Sequence, residues 1–169
     1  MRNLLNVVIT GAASLGPGPR PCPGQREETM TSHREHGEDV GIPLAPGVHR
    51  WLPGATEAGA EAALRRAASE GRRATALDLT AVVDKETFLA ECARALDLPG
   101  WFGGTWDSLY DCLIDLSWWG TPRGYLIVAR GWHALERNAP GLTGTPAGIA
   151  EDATAHWLSR ATPMTVLLG

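Results

Sequence analysis

Apolar and polar positions alternate in two rhythms along this chain from residue 47 onward. "GVHRWLP" (47–53) predicts a short strand stopped by Pro53 and Gly54. "ATEAGAEAALRRAASEGRR" (55–73) predicts a helix, because Ala, Arg and Glu favour it, Thr56 can cap its start and Gly71 can end it. "ATALDLTAV" (74–82) reads as a buried strand. In "DKETFLAECARAL" (84–96), Phe88, Leu89, Cys92 and Leu96 recur at three- and four-residue spacing behind a capping Asp84, the pattern of an amphipathic helix. "LDLPGWFGG" (96–104) is a loop by its proline and three glycines. Thr105 then caps a second helix, 106 to about 117, whose apolar stripe is Trp106, Leu109, Cys112, Leu113 and Leu116. "GYLIVAR" (124–130) and "MTVLLG" (164–169) predict strands. Between them, "GWHALERNAPGLTGTPAG" (131–148) predicts a short helical turn followed by a loop, and "IAEDATAHWLSRA" (149–161) a helix.

Strands that alternate with helices argue for a parallel sheet covered by helices. The expected fold is α/β: a small three- to four-stranded parallel sheet flanked by helices, occupying residues 47–169. Residues 1–46 are rich in Gly, Pro and charge and cannot bury enough apolar surface to offset ordering, so they read as a disordered tail. Met30 is a candidate for the true start.

Composition narrows the function. The 169 residues carry a net charge of −4 with a pI near 5.7, whereas a general nucleic-acid binder is usually basic. No apolar run approaches the roughly 20 residues of a membrane span. Of three cysteines, Cys92 and Cys112 sit among apolar neighbours and read as buried thiols, which suits a reducing cytoplasm. Enzyme motifs are missing. There is no nucleophile elbow, "GAASLGPG" lacks the Lys-Ser/Thr of a phosphate loop, and no two histidines form a helical His-x-x-x-His pair. The expectation is a protein that is no enzyme and needs no cofactor.

One stretch stands apart. "LPGWFGGTWDSLYDCLIDLSWW" (98–119) holds Asp107, Asp111 and Asp115 at four-residue spacing, and no Lys or Arg occurs from Ala95 to Pro122. On a helix these carboxylates form one stripe. Like charges at that spacing cost a few tenths of a kcal/mol, so local stability does not explain them. A solvated face is one reading. A hard-cation site is another, and it would make the chain a metal-dependent enzyme, but the segment offers no basic clamp for a phosphate substrate. The neighbours favour a third. Trp101 and Phe102 lie beside flexible glycines, Tyr110 precedes Asp111, and Trp118 and Trp119 follow the helix, of which one is expected to pack inward. Aromatic rings beside desolvatable charge make a protein-interface composition, and clustered negative charge steers a basic partner.

The same residues resemble the barstar family, the intracellular inhibitors of barnase-type ribonucleases. The motif is Leu98-Pro99, Trp101-Phe102, Gly103, Trp106, Asp107, Tyr110 and Asp111-Cys112-Leu113. The preceding helix and the closing strand fit as well, so the resemblance spans about residues 74–169. It implies a barstar-like domain that plugs the active site of a basic secreted ribonuclease, with carboxylates standing in for RNA phosphates. Asp111 is then the principal mimic and Asp107 its neighbour, with Trp101, Phe102, Gly103, Gly104, Thr105, Tyr110 and Asp115 completing the partner-binding set. No nucleic acid, membrane or metal is expected, and the free protein is expected to be a monomer in the cytoplasm. An antitoxin or regulator of another basic protein is the alternative on the same fold. Two departures stand out: Thr105 follows Gly104 where a polar residue such as Asn is common, and the acidic contact expected on the last helix falls near His156, with Glu151 and Asp152 a turn or more earlier. The strand and helix at 47–73 are an addition to the minimal family fold.

Overall fold

A computed structural model describes residues 44–51 and 57–169. Its elements in chain order are β1 (Gly47–Arg50), α1 (Glu57–Ser69), β2 (Arg73–Asp78), α2 (Lys85–Ala95), α3 (Trp106–Asp115), a 3-10 turn (Ser117–Trp119), β3 (Tyr125–Arg130), α4 (Trp132–Asn138), α5 (Pro140–Leu158) and β4 (Met164–Leu168). The strands form one four-stranded parallel sheet in the order β1-β4-β3-β2. This is the expected α/β architecture at the upper of the two strand counts.

The central strands explain their own composition. β3 and β4 are covered on both faces, so "YLIVAR" and "MTVLL" run almost continuously apolar instead of alternating. On one face Tyr125, Ile127 and Ala129 join Met164, Val166 and Leu168 against Phe88 and Cys92 of α2, Leu109 and Leu113 of α3, and Trp157 of α5. On the other face Leu126, Val128 and Leu167 meet Ala60, Ala63 and Ala67 of α1, together with Leu44 and Trp51. Alanines at three- and four-residue spacing give α1 a flat stripe that lies close to the sheet. Each large aliphatic chain buried this way stabilises the fold by about 1.5–3 kcal/mol.

Two expectations need correction. The Gly/Pro/Thr run after α4 is not a loop: α5 begins at Pro140 and runs nineteen residues. Pro140 occupies the first turn, where its missing N–H costs nothing. The buried Pro146 and Ala150, with Leu142, Ala147 and Ile149 half-buried against the core, give the run a packed face that outweighs its weak propensity. The domain also starts before residue 47. The Thr165 hydroxyl donates to the Leu44 and Ala45 carbonyls at 3.2 and 2.9 Å, and the Arg72 guanidinium donates to Leu44 at 2.9 Å. Residues 44–46 therefore belong to the fold. The remainder of the expected tail, with Cys22 and Met30, lies outside the described residues, as do Pro53, Gly54 and Thr56.

Candidate protein-docking site

α3 is held by its buried side and its two ends. Thr105 caps the start: its hydroxyl accepts from the Ser108 N–H at 3.1 Å, and the Ser108 hydroxyl accepts from the Thr105 N–H at 3.0 Å, a reciprocal capping box. Leu109, Cys112, Leu113 and Leu116 are buried, and Trp106 is half-buried against the Phe88 ring at 5.5 Å. At the far end Leu116 adopts a left-handed conformation (φ 47°) that stops the helix. The Trp157 indole of α5 donates to the Leu113 carbonyl at 2.7 Å, satisfying one of the last-turn acceptors that a helix leaves open.

The opposite side of α3 carries the acidic stripe. Asp107, Asp111 and Asp115 are all exposed, and among the described residues none has an ion-pair partner. Asp115 accepts one hydrogen bond, from the Ser117 hydroxyl at 3.2 Å. The uncompensated charge is felt inside the protein. Burial pushes the Cys112 thiol up to about 11, and Asp111 and Asp115 push it the same way. Burial and then Asp115 raise the Tyr125 phenol. The helix dipole favours Asp107 in the first turn and opposes Asp115 in the last. The stripe as a whole does not stabilise α3.

The loop before α3 supplies the rings. It leaves α2 through Asp97 in a left-handed conformation (φ 50°), with the Leu98 N–H returning to Ala93 at 3.0 Å. Trp101 stands 57% exposed, the one ring among the large exposed apolar side chains of the described residues. Phe102 is half-buried on the core, with its N–H bonded to the Pro99 carbonyl at 2.9 Å. Gly103, Gly104 and Thr105 are exposed, and Gly104 has φ +65°, a conformation that favours glycine. Tyr110 is half-buried beside Asp111. Thus Trp101, Gly103, Gly104, Thr105 and the three aspartates are exposed, whereas Phe102, Tyr110 and Trp106 divide their surface between core and solvent.

Both Trp118 and Trp119 are half-buried against the core, where one inward ring was expected. Trp118 donates its indole N–H to the Leu96 carbonyl at 3.0 Å and meets the Trp101 ring edge-on, 6.3 Å between centroids. Trp119 lies 5.9 Å from the Tyr125 ring, with the Arg73 guanidinium 5.2 Å from its centroid. On the last helix Glu151 and Asp152 are exposed, while His156 is half-buried and edge-on to Trp157 at 5.6 Å. Sequence reasoning overlooked Ser108, whose signal was the Thr-x-x-Ser spacing of a capping box. It also did not foresee that Trp118 pairs with Trp101, since pairing across two loops has no local periodicity. Among the described residues no three His, Cys, Asp or Glu side chains converge as a metal site, and no helix is long and apolar enough to cross a membrane.

A small parallel α/β fold here presents one loop and one helix as an acidic, aromatic face. The family model of barstar (barnase inhibitor) matches residues 72–169, more than half of the chain, and the protein belongs to the barstar family. At family level this describes a ribonuclease inhibitor and not an enzyme. β1 and α1 precede the matched region. No curated protein matches the chain.

Proposed function

We propose that this protein inhibits a basic, secreted ribonuclease of the barnase type, inside the cytoplasm of the cell that produces it. Asp111 takes the place of an RNA phosphate against the nuclease's Lys and Arg side chains, and Asp107 supports it one turn earlier. Trp101, Gly103, Gly104 and Thr105 form the loop side of the contact, with Phe102 and Tyr110 at its base. The free protein is a monomer, and neither metal nor cofactor takes part.

One observation carries this reading: Asp107 and Asp111 stand exposed and without an ion-pair partner among the described residues, beside a 57% exposed tryptophan. Unpaired charge of one sign, ringed by aromatic surface, gives a basic partner both steering and desolvatable contacts. Family membership supplies the kind of partner.

The test is inhibition of barnase, and of the producing cell's own secreted ribonuclease, by wild type and by two single variants. Asp111→Ala is expected to weaken inhibition by at least about 2 kcal/mol, and Asp115→Ala by less than about 1 kcal/mol. Equal and small effects of the two substitutions would overturn the assignment.

A further inference from the structure

We propose that Trp118 is the positioning residue of the docking loop, holding Trp101 as a preformed anchor for the partner. This rests on the docking role proposed above.

Loop 96–104 is poorly equipped to hold a large ring by itself. It contains Gly100, Gly103 and Gly104, and a side-chain carbon added at Gly100 or Gly104 would meet nothing within 4 Å. Trp101 is mostly exposed, and its one aromatic partner among the described residues is Trp118, at 6.3 Å and 81°. That edge-to-face geometry is the one aromatic quadrupoles favour. Trp118 is itself fixed. The left-handed Leu116 ends α3 and begins the 3-10 turn that carries Trp118. Its ring packs on the core, and its indole N–H donates to Leu96 at 3.0 Å. Leu96 is the C-cap residue of α2, at the point where the docking loop departs, and its own N–H donates to the Cys92 carbonyl. The neighbouring Ala95 carbonyl is anchored as well, by the Thr75 hydroxyl of β2 at 2.8 Å. One indole thus ties together the end of α2, the turn after α3 and the exposed ring between them. A side chain ordered before contact gives up less entropy on binding, so affinity rises without a new contact to the partner.

The experiment has two arms, each with Trp101→Ala, Trp118→Ala, Trp118→Phe and the Trp101→Ala/Trp118→Ala double variant. Far-ultraviolet circular dichroism of the free protein reads the coupled indole pair. Trp101→Ala and Trp118→Ala are expected to remove the same band, and the double variant no more than either. Additive losses would show that the rings do not pair and would overturn the positioning role. In the second arm barnase is the probe. Trp118→Ala is expected to weaken binding about tenfold, chiefly through faster dissociation, and Trp118→Phe, which keeps a ring beside Trp101, only about twofold. In the Trp101→Ala background Trp118→Ala should change binding by less than twofold. A tenfold loss persisting in that background would overturn the proposal, because Trp118 would then act without Trp101. Wild type that fails to bind barnase while the coupled band remains would count against the docking role at this probe and not against the ring pairing.

Discussion

Two sets of carboxylates on this molecule have opposite surroundings. Towards the carboxyl ends of β1 and β3, Glu136 receives two hydrogen bonds from Arg50 at 2.7 and 3.0 Å, and Arg130 pairs with both Glu57 and Glu61. These contacts join β1 to α4 and β3 to α1. On α3, Asp107, Asp111 and Asp115 have no ion-pair partner among the described residues, although each repels the next. The first set closes the chain on itself. The second leaves its charge unpaired, as the docking role proposed above requires. What fixes α3 is neutral: a hydroxyl cap, an apolar stripe and an indole from α5.

Four substitutions sharpen this contrast, from the largest expected effect downward. Trp157→Ala removes the buried ring and orphans the Leu113 carbonyl, and should lower stability by about 3–5 kcal/mol in urea unfolding. If α3 were held by its charges instead, the loss would be under about 1 kcal/mol. Thr105→Ala breaks the capping box and should cost about 1 kcal/mol of stability in the same unfolding measurement. Glu136→Gln tests the paired set through pH. Two hydrogen bonds from Arg50, then contacts from His133 and Trp132, hold the Glu136 carboxyl down to about 2, against a usual 4.5. A depressed carboxyl stabilises the fold fully above 4.5, and that contribution is lost as pH falls toward 2. Arg50 is 61% exposed, so solvent reduces the effect to about 1 kcal/mol. The variant's stability should accordingly vary less between pH 5 and 2 than that of wild type. Gly144→Ala, at a helical position where an added carbon meets nothing within 4 Å, should raise stability by about 0.5–1 kcal/mol while leaving inhibition unchanged.

Much of this was legible in the sequence for physical reasons. The strand and helix rhythms placed β2, β3, β4, α2 and α3 because each element buries one clear face or two. The base-free stripe was legible because helical spacing alone puts Asp107, Asp111 and Asp115 on one side. α5 was shortened in the reading because Gly141, Gly144, Gly148 and the two prolines weigh toward a loop locally, while the packing that overrides them comes from the sheet and α3. The Trp118–Trp101 pairing was out of reach for the same reason. It joins residues seventeen apart, and the left-handed Leu116 that turns the chain back toward Trp101 carries no glycine signal.

The most direct test measures stability and inhibition of barnase together on Asp111→Ala. Removing one of three mutually repelling charges should leave the melting temperature unchanged or slightly higher, by the equivalent of a few tenths of a kcal/mol, while inhibition falls by at least about 2 kcal/mol. A variant that unfolds more easily in proportion to its lost inhibition, or that inhibits like wild type, would contradict the claim that this carboxylate is kept for a partner.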